Sequence, residues 1–327
     1  MIAFAIRRVL QAIAVLFTVG FVSFCMFRFM GDPVESILGQ EATVADRAEL
    51  IDRLGLNDPI PVQYGRFVVR ALSGDFGVSY RHGRPVAELI MSRLPATLEL
   101  AFASAVFAFV GGVVFGVYTA IRRNGLLAQT IMSSSLIGVS LPTFLIGILL
   151  IWVFAVELGW LPSFGRGETV VIGGWETGFL TASGLMSLIL PAITLGLYQM
   201  TLIMRLVRAE MLEVLRTDHI RFSRARGLPA RSIYFRHALR NTMVPVITVT
   251  GLQLGSIIAF AIITEFVFQW PGVGLLFLNA VTFVDVPLMA AYLLLVSLIF
   301  VSINLMVDLL YHAIDPRLRN DRVASKN

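Results

Sequence analysis

The chain has 327 residues, of which 57% are hydrophobic and 14% charged, and its mean hydropathy is +0.82. Soluble domains average about 45–50% apolar and about 25% charged residues, so this balance excludes an ordinary soluble enzyme, a disordered tail and a nucleic-acid-binding domain. The net charge of +5 and the pI of about 9.8 then point to the basic cytoplasmic loops of a membrane protein.

Cys25 is the single cysteine, and the four histidines, His82, His219, His237 and His312, are scattered. No metal site and no disulfide within the chain are expected. The only lysine is Lys326, in the polar tail. A phosphate-binding P-loop needs a lysine after its glycine-rich turn, so ATP is not expected to bind this chain in that way. No catalytic constellation is evident.

A membrane-spanning helix needs about 20 mostly apolar residues. Charge-free windows at 9–27, 100–121, 124–156, 177–204, 241–264 and 286–307 predict six spans, near 9–29, 98–121, 131–156, 186–207, 244–266 and 288–312. The first window is longer than a signal-peptide core and precedes no small-residue cleavage site. It is therefore read as a span. Ser140 and Pro142 predict a kink in the third span. Residues 266–284 are also uncharged, but Pro271, Gly272 and Gly274 interrupt them. They predict an external loop with a short interfacial helix.

Arginine placement sets the orientation. Arg7 and Arg8, Arg122 and Arg123, the nine arginines from Arg205 to Arg240, and Arg317, Arg319 and Arg322 mark the cytoplasmic side. The loops after the third and fifth spans are nearly free of basic residues, so both termini are expected in the cytoplasm. The loop over 31–97 carries seven arginines but nine acidic residues. It exceeds the length to which the charge rule applies and is read as external.

That loop is expected to fold as a small helical region. Thr43 and Asp46 suggest a capped helix start before Leu50, Ile51 and Leu54. Tyr64, Phe67, Val68 and Leu72 suggest a second apolar face, and Gly74-Asp75-Phe76-Gly77 a turn. Ser79 is taken as an outward-facing labelling position. The expected organisation is 1–97, the first span with the external region; 98–313, a five-helix core; and 314–327, a basic cytoplasmic tail.

The cytoplasmic loop 208–243 is the most informative stretch. Arg205–Arg216 extends the fourth span. Thr217 is a plausible N-cap for a short basic helix from His219 to Arg226, which Gly227 and Pro229 terminate. A further helix leads from Pro229 through Ile233, Phe235 and Leu239 into the fifth span. Such a basic helix suits contact with anionic lipid and suits equally a docking element for a soluble partner.

The mid-membrane positions lack the carboxylates and histidines of proton-coupled carriers, and no two-fold repeat is seen. A translocation path is expected beside the fifth span, around Gln253, Gly255, Ser256 and Phe260, which mix small and neutral polar groups. For each, helix–helix hydrogen bonding is the competing reading.

The run His219-Ile220-Arg221-Phe222-Ser223-Arg224-Ala225-Arg226-Gly227-Leu228, followed by Arg236-His237-Ala238-Leu239-Arg240-Asn241 and Pro245, resembles the cytoplasmic loop of ABC importer permeases. More narrowly, it is similar to the first permease subunit of dipeptide/oligopeptide importers. Gly31-Asp32-Pro33, Gly74-Asp75-Phe76-Gly77, Pro95-Ala96-Thr97-Leu98-Glu99-Leu100, Trp270-Pro271-Gly272-Val273-Gly274, Asn304, Asp308-Leu309-Leu310-Tyr311 and Asp315-Pro316-Arg317 extend the resemblance over the whole chain. The general family pattern begins Glu-Ala-Ala, where this chain has Arg221-Phe222-Ser223. His219 stands where many peptide-branch relatives have tyrosine.

The resemblance implies an all-α polytopic membrane protein with the type I ABC importer permease fold, in a bacterial inner membrane. It implies a second homologous permease subunit, two ATPase subunits that bind ATP and magnesium, and a periplasmic or lipid-anchored substrate-binding protein. The ATPase-coupling loop would comprise His219, Ile220, Arg221, Arg224, Ala225, Arg226 and Gly227. Substrates of the branch are peptides, glutathione, nickel chelates, opines and some oligosaccharides. An ATP-independent channel or secondary carrier remains the alternative on the residues alone.

Overall fold

A computed structural model describes residues 2–29, 43–45, 48 and 57–314. The capped helix expected from Thr43 to Leu54 lies mostly outside the described residues, as do Gly31-Asp32-Pro33 and the tail from Asp315. The described chain is mainly helical. It comprises α1 (Ile2–Phe29), α2 (Ile60–Leu72), α3 (Val86–Ile121), α4 (Leu126–Ser140) and α5 (Thr143–Leu150), the last continuing as a π-helical stretch (Ile151–Glu157). A hairpin of β1 (Val170–Ile172) and β2 (Trp175–Thr177) follows. Then come α6 (Ala182–Val214), α7 (Asp218–Ala225), a π-helical stretch (Ser232–Ala238) leading into α8 (Leu239–Val267), α9 (Val273–Thr282) and α10 (Val286–Ile314).

Four of these helices, α1, α3, α6 and α10, are long and apolar enough to cross a bilayer unaided. Two helix pairs pass the same test of length and composition together, each bent at a short break: Ser232–Gly251 with Gln253–Val267 by 45°, and Leu126–Ser140 with Thr143–Glu157 by 113°. Where a kink was expected at Ser140 and Pro142, the helix is broken. Leu141, with φ −88° and ψ 140°, is extended, because the ring of Pro142 excludes the helical region for the residue before it. Pro142 then starts α5, where its missing N–H costs no hydrogen bond.

By packing, the chain forms two compact units, one of residues 1–95 with 271–305 and one of 96–270 with 306–327.

In the first unit α2 lies on α1. The Tyr64 ring meets Phe17, Phe21 and Phe24 at centroid distances of 5.2–5.6 Å, and its hydroxyl donates to the Phe17 carbonyl at 2.9 Å. Phe67 meets Phe24. Leu72, expected on this face, is instead 84% exposed. The core joins Val86, Leu89 and Ile90 of α3 to Val273, Leu276 and Ala280 of α9 and to Leu288, Met289 and Ala291 of α10. Burial of these residues explains why α3 starts fourteen residues before the apolar window, despite Glu88 and Arg93. Tertiary packing, not local preference, supplies most helix stability.

In the expected turn, Asp75 accepts from the Arg70 guanidinium at 3.0 Å and from the Gly77 N–H at 3.0 Å. The Arg70 hydrogen bond, then that of Gly77, holds its carboxyl below the usual range. Ser79 is buried, at 1% exposure, and cannot serve as an outward-facing label. Its hydroxyl donates to the Asp285 carboxylate, which also accepts from the Tyr80 N–H at 3.3 Å. Burial, with the Asp285 charge beside it, pushes the Tyr80 phenol up to about 12.

In the second unit α3 runs against α6 at close range. A Cβ on Gly112 would lie 2.6 Å from Ile203, and one on Gly116 2.6 Å from Val207 and 2.8 Å from the Met204 carbonyl. This small-x-x-x-small pair lets two backbones approach where lipid offers no hydrophobic drive for association. The Gly173-Gly174 turn joins β1 to β2, with φ of 57° and 83°, as a two-residue hairpin requires. Gly-Gly between Val170-Val171-Ile172 and Trp175-Glu176-Thr177 was a legible hairpin signal that the reading by apolar windows passed over.

Candidate functional site

The loop 208–243 follows the expected helix plan. Helix α6 continues past the apolar window to Val214, and α7 spans Asp218–Ala225. Thr217 holds the N-cap position, but its hydroxyl donates back to the Val214 carbonyl at 2.8 Å and caps no N–H of α7. The helix ends through N–H bonds of Arg226 to the Phe222 carbonyl and of Gly227 to the Arg224 carbonyl, at 3.1 and 2.9 Å. Gly227 has φ +73°, a left-handed conformation that only glycine adopts without steric cost.

The two faces of α7 differ. Ile220 is fully buried, at 0% exposure, in a cluster with Val207 and Met211 of α6 and with Ile233 and Ala238 of the π-helical stretch. Ser223, one turn on, is also buried and bonds to the His219 carbonyl at 2.9 Å. Ile220, expected within the coupling loop, is the anchor that fixes α7 to its own chain. Arg221, Arg224, Ala225, Arg226 and Gly227 are exposed. The large apolar group on that outer face is Phe222, at 63% exposure, with the Arg226 guanidinium 5.7 Å from its ring centroid. Sequence reasoning missed Phe222 because aromatic residues in apolar chains are usually core. The helical offset of two residues from Ile220 was the signal, since residues two apart point to different faces. Arg221 pairs with Asp218 at 3.2 Å, exposed.

His219 lies near His237, with ring centroids 5.7 Å apart. Together with Arg236, Arg240 and Asn241 they line an open pocket of about 400 Å³.

The expected path residues differ in burial. Gln199 of α6 is buried and donates through Nε2 to Ser256 at 3.0 Å, and Ser256 donates to the Gln253 carbonyl at 2.6 Å. Gln253 and Ser256 are half-buried in this interhelical network, which fits the helix-packing reading. Gly255 is buried, and Phe260 is 59% exposed.

Elsewhere in the second unit, two separated motifs meet. Ala96 accepts from the Trp270 indole at 2.9 Å, and Thr97 donates to Glu265 at 2.6 Å. Glu99 holds Arg166 at 2.7 Å and accepts from the Gly178 N–H at 3.1 Å. Among the described residues, no group of three or more His, Cys, Asp or Glu side chains could hold a metal ion.

The described chain thus holds several helices long and apolar enough to cross a membrane, with the short basic helix α7 between two of them, the arrangement of a membrane permease. Family models describe the same chain. Residues 112–320 match the binding-protein-dependent transport system inner membrane component, and residues 1–101 match the N-terminal part of such membrane components. The chain belongs to this family of inner-membrane permeases. It is 40% identical over 335 residues to the dipeptide transport system permease protein DppB of Alkalihalophilus pseudofirmus, covering 98% of this chain and 100% of the relative. It is 38% identical to the oligopeptide transport system permease protein AppB of Bacillus subtilis, covering 97% of this chain and 99% of that one. With the glutathione transport system permease protein GsiC of Escherichia coli it shares 39% identity, covering 98% and 99%. An inward-facing structure of the MetNI methionine ABC transporter matches 69% of this chain and 96% of its own, with a TM-score of 0.54 and 20% identity. That likeness supports the type I importer permease fold.

Proposed function

We propose that this chain is a membrane-spanning subunit of an ABC importer that passes di- or oligopeptides inward, using ATP hydrolysed by partner subunits. The peptide class rests on the similarity to peptide and glutathione permeases across nearly the full length. Its partners would be a second homologous permease, two ATPases and a substrate-binding protein. Six spans with both termini cytoplasmic follow if each bent pair counts as one span, in agreement with the arginine distribution.

The observation that carries the proposal is the split of α7, with Ile220 locked into the permease core and Phe222, Arg221, Arg224 and Arg226 facing outward. An apolar knob ringed by guanidiniums suits a groove with an apolar floor and acidic rim. Because Ile220 joins α6 and the approach to α8 in one cluster, a push on α7 moves both helices. ATP-driven closure of the ATPase pair would thereby be transmitted to the spans. Gln253, Ser256 and Phe260 on α8 would border the path, with Gly255 buried behind them.

The test is uptake of a labelled dipeptide and of a labelled tetrapeptide into vesicles holding the full complex, with binding protein outside. Uptake that needs ATP on the cytoplasmic side is expected. Uptake without ATP, or without the binding protein, would contradict the proposal.

A further inference from the structure

The pocket beside α7 has a chemistry that the coupling role does not use. Its five lining residues are His219, Arg236, His237, Arg240 and Asn241. None is acidic. Two guanidiniums, two imidazoles and a carboxamide converge on one concavity of about 400 Å³, and every one of them can donate a hydrogen bond. Such a donor set fits an oxyanion better than a neutral or cationic group, because guanidinium forks hold carboxylate or phosphate oxygens two at a time.

The three elements that bring these residues together are the start of α7, the π-helical stretch Ser232–Ala238 and the first turn of α8. The wider π turn changes the offset of Arg236 and His237 from the α8 face, and π-helical insertions recur at functional sites. Arg240 and Asn241 of the lining stand where α8 begins its apolar run. Val244 and Ile247, four and seven residues after Arg240, are exposed apolar side chains on the same helical face. A charged headgroup site therefore continues into an apolar stripe on a membrane-spanning helix.

We propose that this pocket binds the phosphodiester headgroup of an anionic membrane lipid, whose acyl chain lies along Val244 and Ile247. A soluble partner's carboxylate would meet the same guanidiniums but would leave that stripe unused. The inference rests on the proposed topology, which puts the start of α8 at the cytoplasmic membrane surface, where anionic lipid attracts arginine. The lipid would fill the space beside His219 and so brace α7 from the membrane side.

The test uses the intact transporter with its partner subunits, delipidated in detergent and titrated with phosphatidylglycerol or phosphatidylcholine, with retained lipid counted by native mass spectrometry. Wild type is expected to retain phosphatidylglycerol in preference to phosphatidylcholine, and millimolar inorganic phosphate is expected not to displace it. The variant Arg236→Gln/Arg240→Gln should weaken phosphatidylglycerol retention about thirty-fold while the ATPases stay bound. Equal retention of the two lipids, unchanged retention in the variant, or displacement by phosphate would overturn the lipid assignment. Release of the ATPases by the variant, with lipid retention intact, would assign the pocket to protein docking instead. Lipid counts and ATP-dependent uptake are separate readouts, so failure of the lipid site is distinguishable from failure of the transport proposal.

Discussion

Two nitrogens of the Arg166 guanidinium converge on one carboxylate oxygen of Glu99, at 3.2 and 2.7 Å, with both side chains almost wholly buried. The same guanidinium donates to the Glu176 carbonyl at 2.7 Å, and Glu99 also accepts from the Gly178 N–H. The pair thus ties the β-hairpin and the approach to α6 onto α3. Removing one partner of a buried pair leaves an uncompensated charge and costs about 3–5 kcal/mol, whereas replacing both with apolar groups is often nearly neutral. Arg166→Met should therefore sharply lower the thermal inactivation temperature of the purified complex. The double variant Arg166→Met/Glu99→Leu should recover much of the loss. Additive losses would show that the ion pair is not the unit of stability there.

Topology and burial are separated by two cysteine positions in a Cys25→Ala background. Leu72 is 84% exposed at the end of α2, and Ser79, seven residues on, is 1% exposed. Leu72→Cys should react with a membrane-impermeant maleimide in intact spheroplasts. Ser79→Cys should react only after denaturation. Labelling of Leu72→Cys only after the membrane is opened would reverse the orientation.

Close approach of α3 and α6 depends on glycine. Gly116→Val would place its Cβ 2.6 Å from Val207 and 2.8 Å from the Met204 carbonyl. Neither a β-branched side chain nor a backbone oxygen can move aside, and overpacking typically costs about 1–3 kcal/mol. Lower yield and lower thermal stability are expected. Gly65→Ala is the control. It lies in α2 with nothing within 4 Å, and it should be neutral or gain up to about 1 kcal/mol from helix propensity. Equal effects of the two changes would refute the packing argument.

Much of this was legible in the sequence because a bilayer imposes long uncharged helices. Helices α1, α6, α8 and α10 fall where charge-free windows predict them. The end of α7 was equally legible, since Gly227 and Pro229 leave few alternatives. Positions set by tertiary contact were less so. The early start of α3 depends on residues some two hundred positions away, in α9 and α10. The burial of Ile220 and exposure of Phe222 depend on which side α6 approaches from; their two-residue offset puts them on different faces but does not say which face is the core. The 113° break at Pro142 was foreseen as a kink only, because the residue before proline signals a boundary but no angle. The Gln199–Ser256–Gln253 network shows why neutral polar residues in a span cannot be assigned to a path from type alone.

Gly227→Val tests the termination of α7. A β-branched residue at φ +73° is strained by about 1–3 kcal/mol, so the helix should overrun and rotate its outer face. Space around Gly227 is open, with nothing within 4 Å of an added Cβ, so the defect should be conformational and local. Normal membrane insertion with impaired uptake is expected. Wild-type uptake by this variant would show that the left-handed turn is dispensable.

In the proposed mechanism α7 couples partner ATPases to the spans through a buried anchor and an exposed knob. Its most direct test compares Ile220→Ala and Phe222→Ala in the reconstituted complex, measuring ATPase retention on the permease and ATP hydrolysis with and without loaded binding protein. Phe222→Ala should weaken retention of the ATPases. Ile220→Ala, which cuts the link to Val207 and Ile233 behind the docking face, should leave the ATPases bound but abolish their stimulation by loaded binding protein. If both variants retain the ATPases and both respond to binding protein as wild type does, α7 does not couple ATP to transport.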